Sequence, residues 1–198
     1  MQLLIATTNP GKKIEFISLL QGSGIDLKFP DDLGISMAVD ETGATYKANA
    51  ILKAEALSGL SGLPTLADDS GLEVEVLGGR PGLYSARYAR ASVNSDAGRR
   101  SELLKELEPY PKPWLARFIC VAALAIPGKE TSCFSGEVPG EIIPEERGDS
   151  GFGYDRIFFI SKIGKTMAEL DLNEKNVLSH RALAVNQARD FLLSINWY

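Results

Sequence analysis

The chain reads as an α/β protein with a mixed central β-sheet flanked by helices, arranged in two lobes with an active-site cleft between them. Three observations predict this. Apolar runs of strand length stand at residues 2–8, 64–67, 117–126 and 157–160, and helix-length segments stand at 10–20, 44–60, 94–108 and 173–195. The two kinds of segment mix without the strict alternation that a purely parallel sheet would need. A length of 198 residues, 44% hydrophobic and 24% charged, suits one domain over residues 1–198 with an ordinary soluble core.

Taken in order, residues 2–8 form a buried first strand. Asn9-Pro10 then supplies an N-cap and a proline at the first helical position, where a missing N–H is harmless. The helix that follows is expected to turn Ile14, Phe16, Ile17, Leu19 and Leu20 inward, and Gly22 and Gly24 stop it. Residues 25–29 suit a second strand, and 30–43 are loop-like and acidic, ending in Asp40-Glu41-Thr42-Gly43. The alanine-rich stretch 44–60, with Ile51, Leu52 and Leu57, predicts a long helix. Positions 46, 49, 50 and 53 share one of its faces, so Asn49 and Lys53 stand one turn apart.

A short strand over 64–67 leads into Ala67-Asp68-Asp69-Ser70-Gly71, where Gly71 is expected to end it before a half-buried strand over 72–77. Gly78-Gly79-Arg80-Pro81-Gly82 enforces a loop. Residues 94–108 have the pattern of an exposed amphipathic helix, ended by Pro109, Pro111 and Pro113, a stretch expected to mark the lobe boundary. Residues 117–126 read as a central strand, and 131–142 as one or two strands paired back to it through Pro127-Gly128. A glycine-rich loop at 150–155 precedes the strand 157–160, and 173–195 reads as one closing helix.

Charge and composition exclude several classes. A net charge of -5 and a pI near 5.0 leave no general positive field to release counterions, so a nucleic acid polymer is not the expected partner. The longest apolar run, 118–126, is nine residues, against the ~20 of a membrane helix. The start of the chain lacks the basic region and long apolar core of a signal peptide, so a cytoplasmic location is expected. Cys120 and Cys133 lack the paired spacing of zinc sites and are expected to be buried free thiols.

Four groups can carry chemistry. Thr7, Thr8, Asn9, Pro10, Gly11, Lys12 and Lys13 form a strand-to-helix turn whose free amides and dipole suit a phosphate; a capped helix with solvated lysines accounts for the same residues. The acidic set Asp40, Glu41, Asp68 and Asp69 offers the oxygen ligands that magnesium prefers, or else solvated loop charge. Asp69 also suits a general base, although Asp-Asp-Ser-Gly is common turn sequence. Lys175 with Ser179, His180 and Arg181 suits recognition or simple capping; His180 is the only histidine, which removes any histidine-based metal cluster. In Phe152-Gly153-Tyr154-Asp155 an aromatic between glycines can lie against a base, or the segment can be a tight entry to a strand.

The order of these groups resembles one family, the noncanonical purine nucleoside triphosphate pyrophosphatases, also called inosine/xanthosine triphosphatases. The likeness runs end to end through Ala6-Thr7-Thr8-Asn9-Pro10-Gly11-Lys12, residues 41–54, Ala67-Asp68-Asp69-Ser70-Gly71-Leu72, and residues 78–89, 151–155, 165–170 and 174–181. It implies hydrolysis of ITP, dITP and XTP to the monophosphate and pyrophosphate, with Mg²⁺ required, in a homodimer. It also implies that Thr7 through Lys12 hold the phosphates, that Asp69 accepts a proton beside the metal with Lys53, and that Ser70 contacts substrate. Phe152, Gly153, Tyr154 and Asp155 would meet the base, Lys175 the phosphate or sugar, and His180 with Arg181 the 6-oxo edge of the purine. Where the family often has glutamate before Thr42-Gly43, this chain has Asp40, so Asp40 and Glu41 both stand as metal candidates. A pyrophosphatase of the Maf type and a catalytically silent nucleotide-binding module are the rival readings.

Overall fold

A strand with consecutive apolar residues must be covered on both faces. β1 (Gln2–Ile5) is such a strand, with Leu3, Leu4 and Ile5 all buried. The computed structural model describes residues 1–36, 39–89 and 95–195. They fall into two units: Met1–Asp69, Cys120–Gly136 and the chain from Ser179 onward form the first, and Ser70–Ile119 with Glu137–Leu178 form the second.

In the first unit β1 runs parallel to both β2 (Asp26–Lys28) and β3 (Thr65–Val74), with Leu4 opposite Lys28 and Thr65. The strand order is β2-β1-β3, continued by β4 (Trp114–Ala125) and β5 (Ser132–Ile142). Alternation then sorts the side chains. Leu3, Ile5, Leu66, Cys120, Ala122 and Leu124 pack with Phe16 and Leu19 of α1 (Pro10–Leu20) and with Ala182, Val185 and Ala188 of α5 (His180–Ser194). Leu4, Ala6, Ala67, Ala123 and Ala125 pack instead with Ala50, Ala54 and Leu57 of α2 (Tyr46–Ser61). Small residues let the helices come close: a Cβ on Gly136 would lie 2.3 Å from the His180 carbonyl oxygen.

The second unit takes the later residues of β3 and β5 and the earlier residues of β4, and adds β6 (Phe158–Ile160) and β7 (Lys165–Thr166) in antiparallel order, Glu141 opposite Phe159 and Phe159 opposite Thr166. Its core joins Leu72, Val74, Trp114, Phe118 and Phe158 to Leu103 and Leu107 of α3 (Asp96–Leu107). Parallel pairs at one end of the strand order and antiparallel pairs at the other make the sheet mixed, with helices on its faces.

Six expectations are corrected. Gly71 does not end a strand; β3 runs unbroken from Thr65 through the aspartates to Val74, and residues 75–77 form a 3₁₀ turn rather than more strand. The ladder tolerates a glycine whose backbone keeps its partners. On α1, Ile14 and Ile17 are 55% and 50% exposed, while Glu15 takes the inner face with Phe16, Leu19 and Leu20. The closing helix is two helices, α4 (Leu172–Leu178) and α5, because the Ser179 side chain caps a new start by accepting from Ala182 N at 3.1 Å. The prolines at 109–113 lie inside the second unit, and Cys133 is half-buried rather than buried. Asn94, the expected first residue of the third helix, lies outside the described residues; Ser95 caps α3.

Gly148 and Gly22 both adopt left-handed backbone, with φ of 82° and 75°, but an added Cβ meets open space at Gly22 and the Ala168 carbonyl at 2.3 Å at Gly148. Gly22→Ala is expected to cost only the backbone strain, about 1 kcal/mol, and Gly148→Ala about 1–3 kcal/mol more from overpacking. Urea unfolding midpoints of the two variants check the difference.

Candidate active site

Adjacent residues of a strand point to opposite faces, so once β3 runs through the motif Asp68 and Asp69 must part. Asp68 follows Leu66 onto the α1 and α5 face. Only 1% of its side chain is exposed, and its two oxygens receive Lys12 Nζ at 3.0 Å and Arg181 Nε and Nη2 at 3.1 and 3.0 Å. Arg181 Nη1 donates to Glu15, which closes a group of two cations and two carboxylates. Burial alone would raise the Asp68 pKa, but the charges of Lys12, Arg181 and Lys53 overcome it and hold the carboxyl well below its usual range. Burial likewise acts against the Arg181 charge, and Asp68 and Glu15 reverse the effect. The Cys120 thiol, 3.7 Å from Asp68, is pushed up by burial and then by that carboxylate, so it stays protonated.

Local sequence explains how the partners arrive. Asn9 caps α1 by accepting from Lys12 N at 3.1 Å, with Pro10 starting the helix, and Lys12 and Glu15 are three residues apart on one helix face. Ser179 starts α5, so Arg181 sits in its first turn. A cation there opposes the helix dipole, and the two carboxylates offset it.

Asp69 follows Ala67 onto the α2 face. Asn49 Nδ2 donates to its Oδ2 at 2.9 Å, while Lys53 Nζ stands 4.0 Å from Oδ1. The same ammonium donates to Glu41 Oε1 and to the Asp68 carbonyl, each at 2.7 Å. The shared face of α2 brings Asn49 and Lys53 here together. Burial raises the Asp69 pKa, and nearby Glu41 adds to that against the pull of Lys53 and Asn49. Burial lowers the Lys53 pKa, but Asp68, Asp69 and Glu41 outweigh it, so the ammonium keeps its proton more firmly than usual. Lys53 is therefore a fixed positive charge, and Asp69 a carboxylate more basic than most.

In the second unit Lys175 Nζ meets Asp155 Oδ2 at 2.7 Å with both side chains buried. Asp155 Oδ2 also accepts from Phe152 N at 3.1 Å, which folds the turn around a carboxylate. Gly151 is required there, since a Cβ would fall 2.0 Å from that oxygen. Gly153 N donates to Asp96 Oδ2 at 2.7 Å, and Arg100, held by Glu146, donates to Gly153 O at 2.9 Å. Tyr154 is buried with its hydroxyl donating to Ser85 O at 3.0 Å. Phe152 stays half-exposed and borders a hollow with Ser95, Asp96, Arg100 and Arg156.

The predicted residues thus fall into distinct settings. Thr8, Asn9 and Pro10 are exposed and Thr7, Gly11 and Ser70 half-buried, while Thr7 Oγ1 accepts from Asn9 N at 3.2 Å. His180 is the first residue of α5 and is buried beside Arg181. Asp40 is exposed, and Glu41 is the acid that reaches Lys53. Among the described residues no three His, Cys, Asp or Glu side chains gather as metal ligands. The donors that do converge, Glu41 and Asp69 on one ammonium, are oxygen-only and suit magnesium, which takes one or two carboxylates and completes its shell with phosphate and water. The sequence alone assigns no site role to Glu15 or Asn49. Glu15 lies between Ile14 and Phe16, whose apolar pattern masks its direction; the signal for Asn49 is its shared face with Lys53.

The Ham1 family model matches residues 3–191. A Bacillus licheniformis protein named dITP/XTP pyrophosphatase is 47% identical over 187 residues, covering 94% of this chain and 95% of its own. The Bacillus subtilis protein of that name is 45% identical over 192 residues, 96% of each chain. The solved structure of the Staphylococcus aureus Ham1 protein superposes with a TM-score of 0.86 at 40% identity over 98% of both chains, and a HAM1 protein from Coxiella burnetii with 0.88 at 37% over 98% and 100%.

Removing one partner from a buried ion group leaves an uncompensated charge. Arg181→Ala is therefore expected to destabilise by about 3–5 kcal/mol. Adding Glu15→Ala to it is expected to cost less than the sum of the single variants, because the two share one group. A double-mutant cycle by urea unfolding checks both.

Proposed function

This chain belongs to the Ham1 family, and from that premise we propose that it hydrolyses dITP, XTP and ITP to the nucleoside monophosphate and pyrophosphate. Such an enzyme clears deaminated purines from the nucleotide pool. The observation that carries the reading is the division of labour along β3: Asp68 is consumed by cations, while Asp69 keeps a raised pKa and an oxygen facing the ammonium that Glu41 shares.

In this reading Asp69 accepts the proton of a water attacking the α-phosphorus, for which a carboxylate made more basic by burial is suited. Lys53, fixed in its charged form, offsets negative charge that grows on the departing pyrophosphate. Thr7, Thr8, Asn9 and Gly11 with Lys12 offer a capped helix start and a cation to phosphate oxygens, and Ser70 contacts substrate. Glu41 and Asp69 would hold Mg²⁺, which when bound supplies charge neutralisation at the phosphates. Phe152 is assigned to the face of the base, with Gly153, Tyr154 and Asp155 shaping its turn and Lys175 reaching the sugar or phosphate. His180 is assigned to the 6-oxo edge, with Arg181 behind it on Asp68. A 6-amino group would leave such donors unpaired at roughly 1–3 kcal/mol each, which disfavours ATP. Homodimeric assembly, which rests on the resemblance, and a cytoplasmic location, which rests on the absence of signal-peptide character, complete the reading. Among the described residues no helix is long and apolar enough to cross a membrane.

With Mg²⁺ and separate ITP, XTP, dITP, ATP and GTP, pyrophosphate release is expected from the first three alone, with no direct orthophosphate. Orthophosphate would point to a phosphatase, and broad turnover to a Maf-type enzyme. Asp69→Asn is expected to lower kcat by about 10²- to 10⁴-fold, the usual weight of a general base, while retaining nucleotide binding by calorimetry. A rate near wild type would remove Asp69 from the chemistry.

A further inference from the structure

We propose that Asn49 is a positioning residue, which selects the working oxygen of Asp69 and clamps the loop bearing Glu41 to it; this rests on the pyrophosphatase reading. Asn49 is 1% exposed and makes two bonds of opposite sense. Its Nδ2 donates to Asp69 Oδ2 at 2.9 Å, and its Oδ1 accepts from Gly43 N at 2.8 Å. A backbone N–H can only donate and a carboxylate only accept, so the partners fix which end of the amide is oxygen.

Two consequences follow from that fixed orientation. With Oδ2 engaged by Asn49, Asp69 turns Oδ1 toward Lys53, 4.0 Å away, which makes Oδ1 the oxygen beside the shared ammonium. Gly43 lies two residues beyond Glu41, so the second bond ties the Glu41 loop to the same amide while Lys53 holds Glu41 at 2.7 Å. The fit is tight: a Cβ on Gly43 would stand 2.6 Å from Asn49 Oδ1 and 2.7 Å from the Ala48 Cβ. Asparagine is specified because serine is too short to span both partners, and aspartate would set a second buried carboxylate against Asp69.

The test is steady-state kinetics of Asn49→Ala with dITP, beside amide hydrogen exchange at Gly43. Groups that orient a metal-binding or catalytic carboxylate typically weigh about 10- to 100-fold in activity. The expected result is a kcat lowered by about that factor, KM near the wild-type value, a higher Mg²⁺ requirement, and faster Gly43 exchange. A purely structural role would lower the melting temperature and leave kcat of the folded protein alone. Unchanged kcat in a folded variant whose parent turns over dITP overturns the positioning role and leaves the pyrophosphatase reading standing. A wild-type protein without turnover overturns that reading, and the inference with it. Should Asn49→Ala not fold, Asn49→Ser fills part of the space and is judged by the same split of kcat from KM.

Discussion

A carboxylate with 1% of its side chain exposed stays ionised only where cations stand against it, and the Asp68 group meets that requirement. Its partners come from separate stretches of chain: Lys12 and Glu15 from α1, Arg181 from the first turn of α5. The charges balance within the group, so no member is left without a counter-charge. Each partner also depends on a local device, Asn9 capping α1 and Ser179 starting α5. The ion group is thus where capping, helix placement and strand direction of the first unit have to agree. Buried charge of this kind gives modest net stability and penalises arrangements that separate the partners.

The second constraint is the period of a strand. Because β3 does not break at the aspartates, two identical neighbours enter unlike surroundings. One meets three cations and is held well below the usual carboxylate range; the other is raised by burial, with a neighbouring glutamate adding to the rise against the pull of a more distant ammonium and an amide. Pairs of titratable groups driven apart by environment are the usual mark of divided roles. Here the divergence follows from alternation and from the charged and amide side chains that different helices bring to the two faces.

Much of this was legible in the residues. Asn9-Pro10 announced the start of α1, and the face shared by Asn49 and Lys53 placed both against Asp69. What was not legible depended on tertiary partners. Ile14 and Ile17 satisfy the helical pattern as well as the residues that are buried, and Glu15 turns inward to accept from Arg181. Gly71 has the look of a strand end because glycine weakens strands, yet β3 continues unbroken through it to Val74. The break at Ser179 was hidden in continuous helical pattern; serine is tolerable inside a helix and favourable at its cap, and context decides between them.

An acidic protein that handles polyphosphate must solve a local problem against its net charge of -5. In each unit the lysines assigned to substrate are held by internal carboxylates: Lys12 by Asp68 and Lys53 by Glu41 in the first, Lys175 by Asp155 in the second. Such pairing holds each ammonium in one rotamer, so little side-chain entropy remains to be lost when an anion arrives. A phosphate bound at these lysines would share each with an acid already in contact, which would limit affinity. Shared ammonium groups favour a ligand whose charge increases as the reaction proceeds over one whose charge is constant. For the departure of pyrophosphate that bias falls on the transition state rather than on the bound triphosphate.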